Sequence, residues 1–377
     1  MGVEARALLL LTGMLLAFGL AVLYSASAMV AVEQNLTSAH FLFRQLTGLG
    51  VGVVAFAIAA KMDAERWNKW AWPLMAATIA MLVIIVLPFT TAIAPRINGS
   101  RRFLFGASIQ PSEIGKLAVI MWTAMLIVKK GDQMRRLTKG LLPFLLVIGV
   151  LDLLVVLEPD LSVAMMYTLV MGIVLFAGGV RVGHFVVLGI LAIPVLWHEM
   201  ERLQYVMLRM VTFLDPGNAP EVSYQLKQSL IAVGSGGTFG RGFGEGRQSL
   251  GFVPFGYNDF IASNIGEEWG FVGLLLLTLA FVAYAWLGFR IARSARSPFL
   301  QLVALGLTVT VVVTAFLHIG VVVGLLPTTG LTLPFISYGR SNLVLSLFMT
   351  GVLVNIGSNK ERVHGVAATN PLAAPAW

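Results

Sequence analysis

Long apolar stretches recur from one end of this chain to the other, each about the length a helix needs to cross a bilayer. Ten can be marked, at 7–30, 44–60, 70–89, 111–128, 141–157, 161–178, 183–198, 262–289, 299–323 and 340–357. Inside lipid, backbone amides and carbonyls have no water to bond, so segments of this kind are restricted to helices. The predicted fold class is an all-α polytopic membrane protein of about ten transmembrane helices. One large extracytoplasmic loop, residues 199–260, joins the seventh span to the eighth. Residues 1–362 read as a single domain, and 363–377 as a disordered tail of small residues and proline. Of the 377 residues, 58% are hydrophobic and 12% charged, against about 25% charged in soluble domains. Cysteine is absent, which excludes disulfides, thiolate metal sites and a cysteine nucleophile. The first span follows Arg6 and ends near Ala26-Ser27-Ala28, as a signal peptide would. Its apolar run from Ala7 to Leu23 exceeds the usual h-region of about 7–15 residues, so it is expected to be retained.

Charge sets the orientation. With the N-terminus inside, 15 Lys and Arg fall on the cytoplasmic side and 5 in the short outer loops. That is the positive-inside pattern, with both termini cytoplasmic. The net charge of +8 is therefore explained by membrane orientation and does not call for a nucleic-acid partner. Carboxylates are skewed the other way, with 13 of 18 outside or within spans. Solvation of the outer loop explains this, and so does a site for a charged substrate on the outer face.

Glu113 and Lys116 lie three residues apart at the start of an otherwise apolar span, on one face of the helix. They form either an internal ion pair or a group that acts on a phosphate, and the two roles are compatible. Asp160 follows Glu158-Pro159 at the next helix start and reads as an N-cap or a site residue. Asp259 precedes FIASNIGEEWGFVG, where it could cap a helix, act as a general base, or both. Glu267 and Glu268 need cationic partners, for which Lys116, Arg101 and Arg102 are the choices. Arg101, Arg102, Arg209 and Lys227, with Arg241 and Arg247, are outward cations suited to an anionic head group. Asp152 and His318 lie within spans; Asp152 reads as structurally paired or as a proton or ion relay, and His318 as a hydrogen-bonded core residue or a ligand. Residues 234–246, GSGGTFGRGFGEG, hold seven glycines but no Gly-Lys-Ser/Thr, and read as a mobile loop. The turn cluster at 215–220 precedes it. The five histidines show no metal-ligand spacing.

Several of these stretches resemble one family. GLAVLYSAS (19–27), NGSRRF (98–103), IQPSEIGKL (109–117) and EPDLS (158–162) come first. YQLKQSLIAVGSGGTFGRGFGEG (224–246), FVPFGYNDFIASNIGEEWGFVG (252–273) and VVGLLPTTGLTLPFISYGRSN (322–342) follow. In this order they are similar to the SEDS family (shape, elongation, division and sporulation), most closely its RodA-type members. The resemblance implies a ten-span bundle, at the extracytoplasmic face of the bacterial inner membrane, that polymerises lipid II into glycan strands during elongation. It implies a class B penicillin-binding protein as partner. It maps the family's essential acid onto Asp259, its QPSE-K pair onto Glu113 and Lys116, and its PDL acid onto Asp160. The chain departs from the family's pattern at Phe255, Ser162 and His318, and at Arg340, where a cation stands in place of glycine.

On that resemblance, Asp259 would take the proton of an acceptor sugar hydroxyl. Arg101, Arg102, Arg209, Lys227 and Asp160 would bind substrate. A divalent cation, magnesium or manganese, would be held mostly by the substrate diphosphate. A lateral opening lined by small or apolar residues should admit the lipid. Positions Ser263 and Gly256 should be reachable from outside. A lipid-linked precursor flippase and a non-enzymatic assembly scaffold remain as rival readings.

Overall fold

A computed structural model of the protein describes residues 2–96, 100–104, 109–190, 204–214 and 220–358. The second half of the seventh span, most of the turn cluster at 215–220 and the tail at 363–377 lie outside the described residues. Among the described residues the structure is helical throughout, apart from one isolated bridge between Leu104 and Ile109. The helices are α1 Val3–Glu33, α2 His40–Lys61, α3 Arg66–Val86, α4 Pro111–Lys130, α5 Leu142–Leu157 and α6 Leu161–Ala177. Then come α7 at 182–190, α8 Gln204–Leu214, α9 Pro220–Gly236, α10 Ile261–Arg293, α11 Pro298–Val322 and α12 Arg340–Ser358. Among the described residues, eight segments are long and apolar enough to cross a membrane, and α6 is a shorter apolar helix.

Helix α4 is the centre of the bundle. It packs against α3, α6, α11 and α12, and nearly all of it from Pro111 to Ile127 is buried. This is what its sequence requires, since it carries a buried Lys and Glu that could not face lipid. Small residues allow the closest helix pairing, between α2 and α12. An ideal Cβ at Gly351 would sit 2.6 Å from the Phe56 carbonyl, so only glycine fits there, and one at Gly52 would sit 2.6 Å from Leu347 Cδ1. At the end with α2's C-terminus, Arg296 is paired with Asp63 and Glu65, and Arg290 with Glu4 at 3.3 Å.

The segment read as one long loop contains two helices. Helix α9 packs on α10 and α11, with Leu226, Ser229 and Ala232 buried. Ser229 Oγ donates to the Val322 carbonyl at 2.9 Å. The glycine-rich stretch is not a free loop either. It docks on α10 where that helix is broken at Gly270, whose φ of 66° is left-handed. Phe271 N donates to the Gly237 carbonyl at 2.9 Å, and Arg241 N to the Glu267 carbonyl at 3.0 Å. Glycines at 240, 242 and 244 also have positive φ, which lets the backbone follow the helix break closely.

Candidate active site

One end of the bundle gathers the starts of α2, α4, α6, α10 and α12. Asp259 sits on the turn just before α10, half-buried. It does not cap that helix: the capping position is Phe260, and no side chain bonds the first turn. Neighbouring segments hold the turn in place. Asp259 N donates to the Phe255 carbonyl at 3.1 Å, and Asn264 Nδ2 to the Gly256 carbonyl at 3.0 Å. The LPFISYG segment braces it from the other side. Ser337 Oγ donates to the Asn258 carbonyl at 2.7 Å, and Tyr338 N to the Tyr257 carbonyl at 3.1 Å. Gln45 of α2 then locks that segment, donating to the Ser337 carbonyl at 3.0 Å and accepting from Gly339 N at 3.1 Å. Tyr257, Tyr338 and Phe41 stack on one another. Sequence reasoning missed Gln45; its signal was a lone amide in an apolar span.

The Asp259 carboxylate accepts no hydrogen bond among the described residues. Burial pushes it up to about 6, against the pull of the Arg209 and Arg102 guanidiniums, with Asp160 adding to the rise. Arg102 bridges the cluster. It lies 3.4 Å from Asp160 Oδ2, and its Nε donates to the Glu158 carbonyl at 3.1 Å. Its Nη2 also bonds the Pro159 carbonyl. Arg209 on α8 donates to the Thr328 carbonyl at 3.3 Å. Asp160 caps α6 by accepting from Val163 N at 3.4 Å. Burial raises its carboxyl, and Arg102 and Lys116 oppose that rise. Glu158, buried with both carboxylate oxygens unpartnered among the described residues, is pushed up to about 9 by burial and by Asp160, so it is neutral at ordinary pH.

Lys116 Nζ donates to Glu113 Oε1 at 2.7 Å, with the two residues 4% and 6% exposed. Both charges act on Asp160. The Tyr167 hydroxyl, bonded to the Ser112 carbonyl at 2.5 Å, fixes α4 against α6 beside them.

Asp259, Asp160, Arg102, Arg209, Glu113 and Lys116 therefore form one electrostatic cluster. Arg101 is turned away from it and clamps the 87–94 loop through the Leu87 and Ala94 carbonyls, at 2.9 and 3.1 Å, and the Thr90 hydroxyl. Lys227 is exposed on α9. The Glu267–Glu268 doublet does not meet Lys116, Arg101 or Arg102. Glu267 accepts from the backbone amides of Arg247 and Gln248, both at 2.9 Å, with Arg241 at 4.0 Å. Glu268 takes the Ser25 hydroxyl. These acids pin the glycine-rich segment to α10. Ser263 is fully buried and Gly256 is buried, so neither is a surface position. Asp152 accepts from Thr168 Oγ1 at 2.6 Å on an exposed face of α5 and α6, and His318 Nδ1 meets the Leu331 carbonyl at 2.8 Å inside the bundle.

From Glu113 a cleft of about 560 Å³ runs between α2, α4 and α12. Thr47, Gln110, Glu113, Arg340 and Ser341 line its end nearest the cluster. Val51, Ala55, Leu117, Leu345 and Phe348 line the rest.

The family pattern of the FtsW, RodA and SpoVE cell cycle proteins matches residues 6–362. A probable peptidoglycan glycosyltransferase FtsW of Trichlorobacter lovleyi is 38% identical over 93% of this chain and 92% of its own length. The stage V sporulation protein E of Bacillus subtilis is 36% identical over 93% of this chain and 95% of its own. Among solved structures, a chain from a peptidoglycan synthase complex coordinating polymerization and crosslinking aligns with a TM-score of 0.79 at 25% identity. That alignment covers 94% of this chain and 98% of the other. The rod shape determining protein RodA of Thermus thermophilus shares the fold, with a TM-score of 0.66 over 95% of this chain and 97% of that one, at 24% identity. The chain belongs to the FtsW/RodA/SpoVE family, the SEDS proteins, and is an integral inner-membrane peptidoglycan glycosyltransferase.

Proposed function

We propose that this protein polymerises lipid II into glycan strands at the extracytoplasmic face, with Asp259 as the general base. The observation that carries the reading is an Asp259 carboxylate that accepts no hydrogen bond among the described residues and lies in the field of the Arg209 and Arg102 guanidiniums. A base is most effective when its pKa approaches the working pH, and about 6 is nearer to that than an ordinary aspartate. As the acceptor hydroxyl oxygen bonds to the anomeric carbon, Asp259 takes its proton. The bond from that carbon to the diphosphate breaks, and its electron pair leaves on the diphosphate. Arg102 and Arg209 are placed to offset the charge that builds there. Lys116 and Glu113 act on Asp160 and so hold the Arg102 side of the cluster. The cleft between α2, α4 and α12 takes the lipid tail near the head group. A divalent cation would draw its ligands mainly from the diphosphate, since no three His, Asp or Glu side chains gather as a metal site among the described residues.

The positive-inside pattern supports placing this end of the bundle outside. A flippase reading is weaker, because Asp152 is bonded to Thr168 on an exposed face of α5 and α6 and His318 to the Leu331 carbonyl inside the bundle, so the two do not mark one polar path. A class B penicillin-binding protein is the proposed cross-linking partner, supported by the likeness to a synthase complex. Relatives named FtsW support a role in division ahead of the elongation role suggested by the RodA-type resemblance. Depletion in the native host distinguishes these, giving filaments for a division enzyme and rounded cells for an elongation enzyme. The activity itself is tested with purified protein and labelled lipid II. Glycan polymer should form with the wild type and not with Asp259→Asn, and polymer at the wild-type level from the variant would sink the assignment.

A further inference from the structure

We infer that Gln45 and His318 are positioning residues for the polymerisation step, acting on Asp259 through a strap formed by residues 331–339, an inference that rests on Asp259 as the base. The strap lies between α11 and α12 and has no regular secondary structure. Leu331, Leu333, Phe335 and Ile336 are buried, so apolar packing holds it against the bundle. That packing is not directional and does not fix which backbone atom meets which partner. Two buried polar side chains from distant helices do fix it. Near the end of α11, His318 Nδ1 bonds the Leu331 carbonyl at 2.8 Å. A carbonyl only accepts, so this nitrogen carries the hydrogen. Nε2 is buried with no partner among the described residues. At the other end of the strap, Gln45 of α2 uses both halves of its amide. It donates to the Ser337 carbonyl at 3.0 Å and accepts from Gly339 N at 3.1 Å. Between these anchors Phe335 has a φ of 67°, which a bulky residue keeps only where its surroundings over-determine it.

The path from strap to base is short. Ser337 Oγ accepts from Leu333 N at 2.9 Å, which leaves its own hydrogen for the Asn258 carbonyl at 2.7 Å. Tyr338 N donates to the Tyr257 carbonyl at 3.1 Å. Tyr257 and Asn258 directly precede Asp259, whose carboxylate accepts no hydrogen bond among the described residues. Its direction is therefore set by the backbone beneath it, and a misplacement of about 1 Å in such a group costs on the order of a hundred-fold in rate. Polar side chains within membrane spans are costly and need partners. Gln45 and His318 are each 1% exposed, and among the described residues the hydrogen bonds of both go to the strap.

The test uses purified full-length protein in nanodiscs with labelled lipid II. His318→Leu and Gln45→Met should each lower kcat at least about ten-fold per folded molecule and leave KM within about two-fold. An asparagine can place Nδ2 where histidine places Nδ1, so His318→Asn keeps the donor and should restore kcat. The double variant Gln45→Met/His318→Leu should lose little more than the worse single variant, because either change frees the same strap. The acid limb of kcat/KM should move toward an ordinary carboxylate value in the Leu and Met variants, as water reaches a loosened Asp259. A purely structural role would lower the folded fraction and leave that limb in place. Amide exchange at Tyr338, measured without substrate, should quicken in both variants. Equal kcat in the Leu and Asn variants, or unchanged exchange at Tyr338, overturns the inference. Gln45→Met decides the matter if His318→Leu does not fold. An inactive Asp259→Asn beside anchor variants that turn over at the wild-type rate would sink the positioning role alone. A fully active Asp259→Asn would instead sink the base assignment, with Tyr338 exchange still reporting whether the anchors hold the strap.

Discussion

Asp259 carries its charge where water solvates it poorly, and that sets its predicted behaviour. Its folded-state carboxyl is raised from 3.8 to about 6, so the folded protein binds the proton more tightly than the unfolded chain. The stabilisation this gives is complete below about pH 4 and is lost as the pH rises through 6. Asp259→Asn should therefore abolish polymerisation and yet raise thermal stability at pH 7.5, on the order of 1–3 kcal/mol, a gain that vanishes near pH 4. Scanning calorimetry at the two pH values checks this. The acid limb of kcat/KM should fall near pH 6 rather than near 4. Lys116 calls for a different experiment, because removing it leaves Glu113 as a buried unpaired charge, a loss of about 3–5 kcal/mol. Lys116→Met should destabilise, and the double variant with Glu113→Gln should recover most of the stability. If the double variant also recovers activity per folded molecule, the pair is structural and Lys116 has no part in the reaction.

At the scale of elements, the break in α10 matters most. The helix interior has Gly270 at φ 66°, with an ideal Cβ only 2.3 Å from Gly240 N. Gly270→Ala should therefore cost about 1–3 kcal/mol through backbone strain alone. It should also release the glycine-rich segment from Glu267 and Glu268, read as faster amide exchange at Arg247 and Gln248. Unchanged protection at those two amides would show that the acids hold the segment without the break. The doublet was visible in the sequence as two buried acids needing partners. The partners are mostly backbone amides, which look alike in any sequence and become specific only once a chain segment is folded over them.

Across the whole molecule, the starts of α2, α4, α6, α10 and α12 share one end with Asp259, and the Arg296–Asp63 contact marks the other. Buried Ser263 and Gly256 are unsuitable as topology probes, while Glu245 is exposed. Since the native chain has no cysteine, Glu245→Cys should react with an impermeant maleimide added to intact cells, and labelling only after lysis would invert the proposed orientation. The sequence by itself determined the helical membrane fold, the order of its spans and the stretches that resemble SEDS proteins. Apolar length is a local property, and lipid enforces helix wherever it occurs. Tertiary structure alone decided which charges meet. Arg101 and Arg102 are neighbours in sequence, yet one clamps a loop and the other bridges Asp160 to the site. It also decided that Asp259 is no helix cap and that Glu113 and Arg340 line one cleft. Those outcomes depend on which chain segments approach one another in the fold, and no local pattern of charge or hydrophobicity encodes that approach.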